Sequence, residues 1–156
     1  MKGKIVVLDF WTFCCCDCLH FLPVLEHLES WFEKETGLVF IGIHSGKFEA
    51  EKDDVGIQKA IIKNSIKHPV VNDNQMKMWK AYGSKHWPTV IVINPNGDRI
   101  KMWDEIVPQK DLETYIEATL DFYNENIDWS EIKRKLEIES YLSSKDLEKS
   151  SLSIEI

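Results

Sequence analysis

The chain has 156 residues and a mass of 18.2 kDa, which is the size of a single domain. Its net charge of −7 argues against a nucleic-acid groove, because such a groove needs a basic face. No uncharged apolar run approaches the ~18 residues of a spanning helix, and the apolar run after the basic N-terminus is too short for a secretion signal. We therefore expect a cytoplasmic protein that binds neither nucleic acid nor membrane.

A strand–helix–strand unit opens the chain. Residues 5–10 are apolar and β-branched, which is typical of a strand covered on both faces. A helical pattern starts near Cys18, and we expect Gly37 to end that helix. Residues 38–44 form a second buried strand. The short linkers predict a right-handed crossover between two parallel strands.

Shorter elements follow a polar loop over residues 45–54. The predicted elements are a helix over 55–66, an extended piece at 68–71, a short helix over 75–82, strands at 89–93 and 99–103, and a helix from Pro108 to about residue 123. A Pro- and Gly-containing turn makes the two strands an antiparallel hairpin. Residues 127–156 are rich in Lys, Glu and Ser, so we expect a charged, partly helical extension after a domain of residues 1–126.

All four cysteines lie within five positions, at Cys14, Cys15, Cys16 and Cys18. Such a cluster cannot cross-link distant segments, so it indicates chemistry. Cys15 and Cys18 form a C-x-x-C motif between a strand and a helix, where unpaired backbone N–H groups favour a thiolate. We therefore predict that Cys15 attacks a substrate disulfide and that Cys18, one turn inside the helix, resolves the mixed disulfide.

Other interpretations of the cluster remain open. Four thiolates are a possible zinc site, although no second Cys/His pair stands at ligand spacing. Cys14 and Cys18, with His86 as third ligand, are a possible copper site. Cys14 and Cys16 are possible auxiliary thiols, and Cys14 is also a candidate for a small buried hydrophobe. A fold kept as an interaction module, with little or no activity, is the alternative to an enzyme.

Asp9 lies within the first apolar strand, six residues before Cys15. A buried, unpaired carboxylate is costly, so it is rarely placed there without a function. We expect burial to raise the pKa of Asp9, which would let it pass a proton to or from Cys18. The alternative is a frayed strand end at which Asp9 meets water.

Two tryptophans flank the predicted site. If strand 89–93 runs antiparallel to strand 5–10, Pro88 lies against the cysteines, and we expect a cis Trp87–Pro88 bond that turns the Trp87 backbone towards an extended substrate. An ordinary trans proline opening a strand is the alternative. Trp11 and Trp87 are candidates for lining a substrate groove.

These residues together carry a family resemblance. Asp9-Phe10-Trp11, the Cys15/Cys18 pair, Pro23 and Trp87-Pro88-Thr89 resemble the thioredoxin superfamily. Its members place a buried acid, two cysteines, a helix-kinking proline and a cis-proline in this order. The extra helix and short strand between His44 and Trp87 are similar to the insertion of thiol–disulfide oxidoreductases related to the alkyl-hydroperoxide reductase group. Residues 3–15, 18–20, 68–73 and 87–89 are similar to the thioredoxin-like domain of NHL-repeat-containing proteins, and the resemblance covers roughly residues 3–125.

The resemblance implies an α/β, thioredoxin-like fold with a central mixed sheet and helices on both faces. The implied strand order is 38–44, 4–10, 89–93, 99–103. It also implies a thiol–disulfide oxidoreductase that acts on protein or small-molecule disulfides and depends on an unidentified electron donor. Its redox group would be the Cys15–Cys18 disulfide, with no bound cofactor or metal.

Overall fold

The computed structural model describes residues 3–35 and 37–126, so the predicted extension over 127–156 lies outside the described residues. The chain divides into two compact units, Met1–Leu120 and Asp121–Ile156, and every candidate site residue belongs to the first. Within the described ranges, no helix is long and apolar enough to cross a membrane.

The elements follow the predicted order. They are β1 (Ile5–Trp11), α1 (Cys16–Trp31), β2 (Leu38–His44), a 3₁₀ turn (Glu49–Glu51), α2 (Asp54–Lys63), β3 (Val70–Asn72), α3 (Lys77–Tyr82), β4 (Thr89–Ile93), β5 (Arg99–Trp103) and α4 (Gln109–Asn126). The prediction that Gly37 ends the first helix is wrong. The chain leaves α1 at Phe32, whose side chain is buried, and the Gly37 carbonyl instead accepts the Ile5 N–H at 2.8 Å.

The sheet is mixed and five-stranded, in the order β3-β2-β1-β4-β5. β1 pairs in parallel with β2 and antiparallel with β4, and β4 and β5 form the predicted antiparallel hairpin. The predicted order is therefore confirmed for four strands. It lacked the fifth, because the extended piece predicted at 68–71 forms β3 slightly later in the chain and pairs in parallel with β2.

Helices cover both faces of the sheet, as expected. Alternate β1 residues point to opposite faces. Val6, Leu8 and Phe10 join a core cluster with Trp79 of α3. The opposite face carries Asp9 and Trp11. His68 lies next to Trp11 beside Gly42 and contacts Glu29, which places α1 on that side.

Candidate active site

Cys15 and Cys18 form a disulfide at the N-terminus of α1, with their Cα atoms 5.3 Å apart. The helix begins at Cys16, two residues earlier than predicted, and Cys15 is its N-cap. The Cys18 backbone N–H donates to the Cys15 sulfur at 3.2 Å, which favours a thiolate there. Cys15 is partly exposed, whereas Cys18 is only 2% exposed. The accessible, N–H-bonded position thus belongs to the predicted nucleophile and the shielded position to the predicted resolving cysteine.

Cys14 and Cys16 are free and exposed. The idea that Cys14 is a small buried hydrophobe is therefore wrong. Partial desolvation, together with a hydrogen bond to the Glu51 carboxylate and its negative charge, raises the pKa of the Cys14 thiol. Cys14 is therefore held in its protonated form next to the Cys15–Cys18 pair.

Glu51 is a buried acid at the end of the 3₁₀ turn. It accepts the Thr12 hydroxyl at 2.6 Å and the Phe48 backbone N–H at 2.7 Å. Desolvation opposes ionisation of Glu51, but these hydrogen bonds prevail and lower its pKa. The carboxylate therefore ties the loop after β1 to the loop after β2.

His44 ends β2 and is fully buried. Its Nε2 accepts the Phe13 backbone N–H at 3.2 Å, which assigns the proton of the neutral ring to Nδ1. Burial lowers the pKa of His44 to about 4, so the ring is neutral at pH 7. Trp11 packs edge-on against it, with ring centroids 4.9 Å apart. Since Trp11 is 0% exposed, the prediction that it lines a substrate groove is wrong.

Asp9 is 3% exposed, and neither carboxylate oxygen has a hydrogen-bond partner among the described residues. Burial raises the pKa of Asp9 to about 7, with smaller effects from His68, which lowers it, and Glu29, which raises it. The predicted burial and raised pKa of Asp9 are confirmed, and the alternative that Asp9 meets water at a frayed strand end is wrong. Transfer of a proton between Asp9 and Cys18 stays a prediction.

The Trp87–Pro88 bond is cis, as predicted. Thr89 pairs with Phe10, so the start of β4 lies beside the end of β1. Trp87 is partly exposed, while Pro88 is buried. The Trp87 ring stacks on Trp79 at 4.0 Å between centroids and donates its N–H to the Ser45 carbonyl at 3.1 Å. Trp87 therefore keeps an accessible edge, and its contact with substrate stays a prediction.

Asp104 anchors the segment that carries the cis-proline. Its carboxylate accepts the backbone N–H groups of Lys85 and His86 at 3.2 and 3.1 Å and the Thr89 hydroxyl at 2.6 Å. Desolvation acts against ionisation here too, but the hydrogen bonds lower the pKa of Asp104 to about 2. Asp104 is therefore a fixed anion that organises this loop.

The proposed copper ligands are not assembled. Cys18 is in the disulfide, and His86 Nδ1 lies 3.1 Å from the Asp104 carboxylate. Within residues 3–35 and 37–126, no three His, Cys, Asp or Glu side chains are arranged to hold a metal ion, zinc included.

Sequence reasoning missed several polar residues of the candidate site. They are Thr12, His44, Glu51, His68 and Asp104. Each side chain finds its partner in a segment distant along the chain or in an irregular loop, where no periodic pattern exists. One signal was available: His44 ends a strand that was predicted to be buried, and a buried histidine needs partners for its ring nitrogens.

Comparisons with known proteins agree with this geometry. The family model described as Thioredoxin-like matches residues 3–99. The chain is 45% identical over 123 residues to Protein SUPPRESSOR OF QUENCHING 1, chloroplastic, of Arabidopsis thaliana, an alignment that covers 79% of this chain and 12% of that protein. It is 41% identical over 123 residues to NHL repeat-containing protein 2 of Gallus gallus, covering 79% and 17%. The chain thus spans less than a fifth of the length of either relative, and the expected similarity to NHL-repeat proteins is confirmed.

Two further matches carry oxidoreductase names. Thiol-disulfide oxidoreductase ResA of Halalkalibacterium halodurans is 27% identical over 117 residues, covering 75% of this chain and 63% of that protein. The structure of a thiol-disulfide oxidoreductase from Bacteroides fragilis superposes with a TM-score of 0.64 at 20% identity, covering 75% of this chain and 82% of that one. The second match shows the shared fold.

Proposed function

This chain belongs to the thioredoxin-like family, and from that premise we propose that it is a thiol–disulfide oxidoreductase acting through Cys15 and Cys18. The observation that carries the proposal is the unequal environment of the two sulfurs. Cys15 is partly exposed and accepts a backbone N–H at the start of α1, whereas Cys18 is buried one turn inside. In a dithiol of this kind, one ionised sulfur attacks the substrate, and the shielded second sulfur resolves the mixed disulfide.

The proposed reaction transfers two electrons to a substrate disulfide. Cys15 thiolate attacks one substrate sulfur, the substrate S–S bond breaks, and the first product thiolate leaves and takes up a proton. Cys18 then loses its proton to Asp9 and attacks the Cys15 sulfur of the mixed disulfide. The second product leaves as a thiolate, and the Cys15–Cys18 disulfide remains. An electron donor with a dithiol then reduces this disulfide and completes the cycle.

Further parts of the proposal concern substrate and setting. The partly exposed Trp87, next to the cis peptide, is where we expect an extended disulfide-containing polypeptide to bind. The redox group is the protein's own disulfide, so the reaction as proposed uses no bound cofactor or metal. A cytoplasmic location stays a prediction, and the Arabidopsis relative is named as chloroplastic.

Removal of the resolving sulfur tests the mechanism. Reduced Cys18→Ser protein, mixed with oxidised insulin, should accumulate a mixed disulfide on Cys15 that non-reducing mass spectrometry detects. Cys16→Ser is the matched control, since it removes an exposed thiol of the same loop and leaves both motif cysteines in place. Cys16→Ser should behave like wild type: it should release reduced insulin and accelerate the reduction of insulin by dithiothreitol. If Cys18→Ser traps nothing and wild type does not accelerate the reduction, the chain is an interaction module and not an oxidoreductase.

A further inference from the structure

Four polar atoms on the α1 side of the sheet are buried without a hydrogen-bond partner in the described residues. They are both carboxylate oxygens of Asp9, Nε1 of Trp11 and Nε2 of His68. Native proteins pair nearly all buried polar groups, so a group of unpaired ones calls for an explanation in terms of function. The group also contains complementary chemistry, since the Trp11 N–H is a donor and a carboxylate is an acceptor.

Gly42 brings these atoms together. It is the register partner of Asp9 on β2, while Trp11 stands two residues beyond Asp9 on the same face of β1. A Cβ atom on Gly42 would lie 3.0 Å from His68 Nε2 and 3.1 Å from Trp11 Nε1. Both ring nitrogens therefore occupy the space of the absent side chain, directly across the strand pair from Asp9.

Glu29 of α1 holds His68 from the other side. His68 Nδ1 contacts Glu29 Oε1, and the two side chains are 6% and 15% exposed. The Gly42 N–H donates to the Pro69 carbonyl at 2.9 Å, which fixes the chain next to His68. With Nδ1–H donated to the carboxylate, the other ring nitrogen, Nε2, is free to accept a proton on the Gly42 side.

The His68–Glu29 pair also reaches the surface. Both residues line a depression whose other charged members are Glu26 and Lys67, and these two pair with each other at 3.2 Å. Besides burial, the His68–Glu29 pair acts on the pKa of Asp9, which His68 lowers and Glu29 raises. Because the pKa of Asp9 is about 7, its carboxyl can both accept and release a proton at neutral pH, which is what a relay through this site requires.

We propose that His68, positioned by Glu29, exchanges the proton of Asp9 with solvent through the surface depression that His68 and Glu29 line. This role rests on the proposed oxidoreductase function. In the resolving step, the Cys18 thiol gives its proton to the Asp9 carboxylate. The Asp9 O–H then gives a proton to His68 Nε2, directly or through a bridging water, and the imidazolium is stabilised by Glu29. Loss of the Nδ1 proton past Glu29 leaves the neutral ring protonated on Nε2. When the electron donor reduces the disulfide, the relay runs in reverse: Nε2 returns its proton through Asp9 to Cys18, and Nδ1 takes up a proton from solvent past Glu29. No electrons move in this relay.

The test separates the two chemical steps. Reduced protein is mixed with oxidised glutathione, quenched with acid, and analysed for the glutathione mixed disulfide. All proteins in this test carry Cys14→Ser and Cys16→Ser, which removes the two other exposed thiols. Bimolecular formation of the mixed disulfide then reports Cys15, and its first-order decay reports Cys18. His68→Ala should leave formation unchanged and slow decay about tenfold or more, since acid–base assistance is often worth more than that. Added imidazole should restore the decay rate, because removal of the His68 ring leaves a space beside the surface depression that imidazole can enter.

Matched variants distinguish a relay from a structural role. Glu29→Gln keeps the shape of the side chain but should slow decay and shift its pH profile. Glu26→Gln should behave like wild type, because Glu26 lines the same depression but pairs with Lys67. His27→Ala, which replaces an exposed histidine of α1, controls for loss of a ring. If His68→Ala does not fold, Glu29→Gln carries the test alone.

The outcomes are distinct. Wild-type decay rates and pH profiles in both His68→Ala and Glu29→Gln would overturn the relay, as would slow decay that imidazole does not restore. In either case wild type still forms and resolves the mixed disulfide, so the proposed function stands. If wild type forms no mixed disulfide at all, the proposed function fails, and the relay fails with it.

Discussion

Replacing Asp9 by Asn should remove a pH dependence of stability that the buried carboxyl causes in wild type. The pKa of Asp9 rises from 3.8 to about 7 on folding, because burial disfavours the charged form. A pKa difference of one between the two states corresponds to about 1.4 kcal/mol, so ionisation of Asp9 costs the folded state about 4 kcal/mol. Between about pH 4 and 7 the native state binds a proton that the unfolded state has lost. Stability from this group is therefore full below pH 4 and lost as pH rises through 7.

The amide of the variant cannot ionise, so Asp9→Asn does not incur this cost. The free energy of unfolding of Asp9→Asn, relative to wild type, should increase by about 4 kcal/mol between about pH 4 and pH 8. Urea unfolding of both oxidised proteins across that range measures the difference. A difference that stays constant with pH would refute the assignment of a raised pKa to Asp9.

The remaining predictions concern three other side chains of the candidate site. The pKa of His44 falls from 6.5 to about 4 on folding, because burial disfavours the charged ring. Wild type should therefore lose about 3 kcal/mol of stability relative to His44→Gln as pH falls from 6.5 to 4. Urea unfolding of both proteins would measure this loss. In oxidised Cys16→Ser protein, Cys14 is the only free thiol. Adding Glu51→Gln should lower the pH midpoint of Cys14 alkylation by iodoacetamide, because the Glu51 carboxylate raises the pKa of the Cys14 thiol. An unchanged midpoint would contradict the Cys14–Glu51 hydrogen bond. Asp104→Asn should lower the unfolding free energy by about 2 kcal/mol at pH 7. The loss should shrink below about pH 4, as the wild-type carboxylate is protonated. Urea titrations at about pH 7 and pH 3 would measure both values.

The parts of the fold that sequence reasoning predicted correctly are those with local causes. β1 and β2 are predominantly apolar, and that composition alone favours a strand covered on both faces. The helix predicted over 75–82 ends at Tyr82, as α3 does, because Gly83 follows with φ at +73°, a conformation that glycine adopts without cost. β3 has only three residues, and its strand conformation depends on pairing with Gly42, Ile43 and His44. Nothing within a segment that short reveals such a partner.

The chemistry of the site divides in the same way. The C-x-x-C motif was readable because its two cysteines and the start of α1 are neighbours in sequence. The residues that tune it were not, since Thr12–Glu51 and Glu29–His68 each join positions 39 residues apart. The error on Trp11 has a different origin, because alternation along β1 already puts Trp11 on the same face as Asp9. A buried Asp9 therefore required a buried Trp11, and applying the strand period through to the last residue of β1 would have removed Trp11 from the substrate groove.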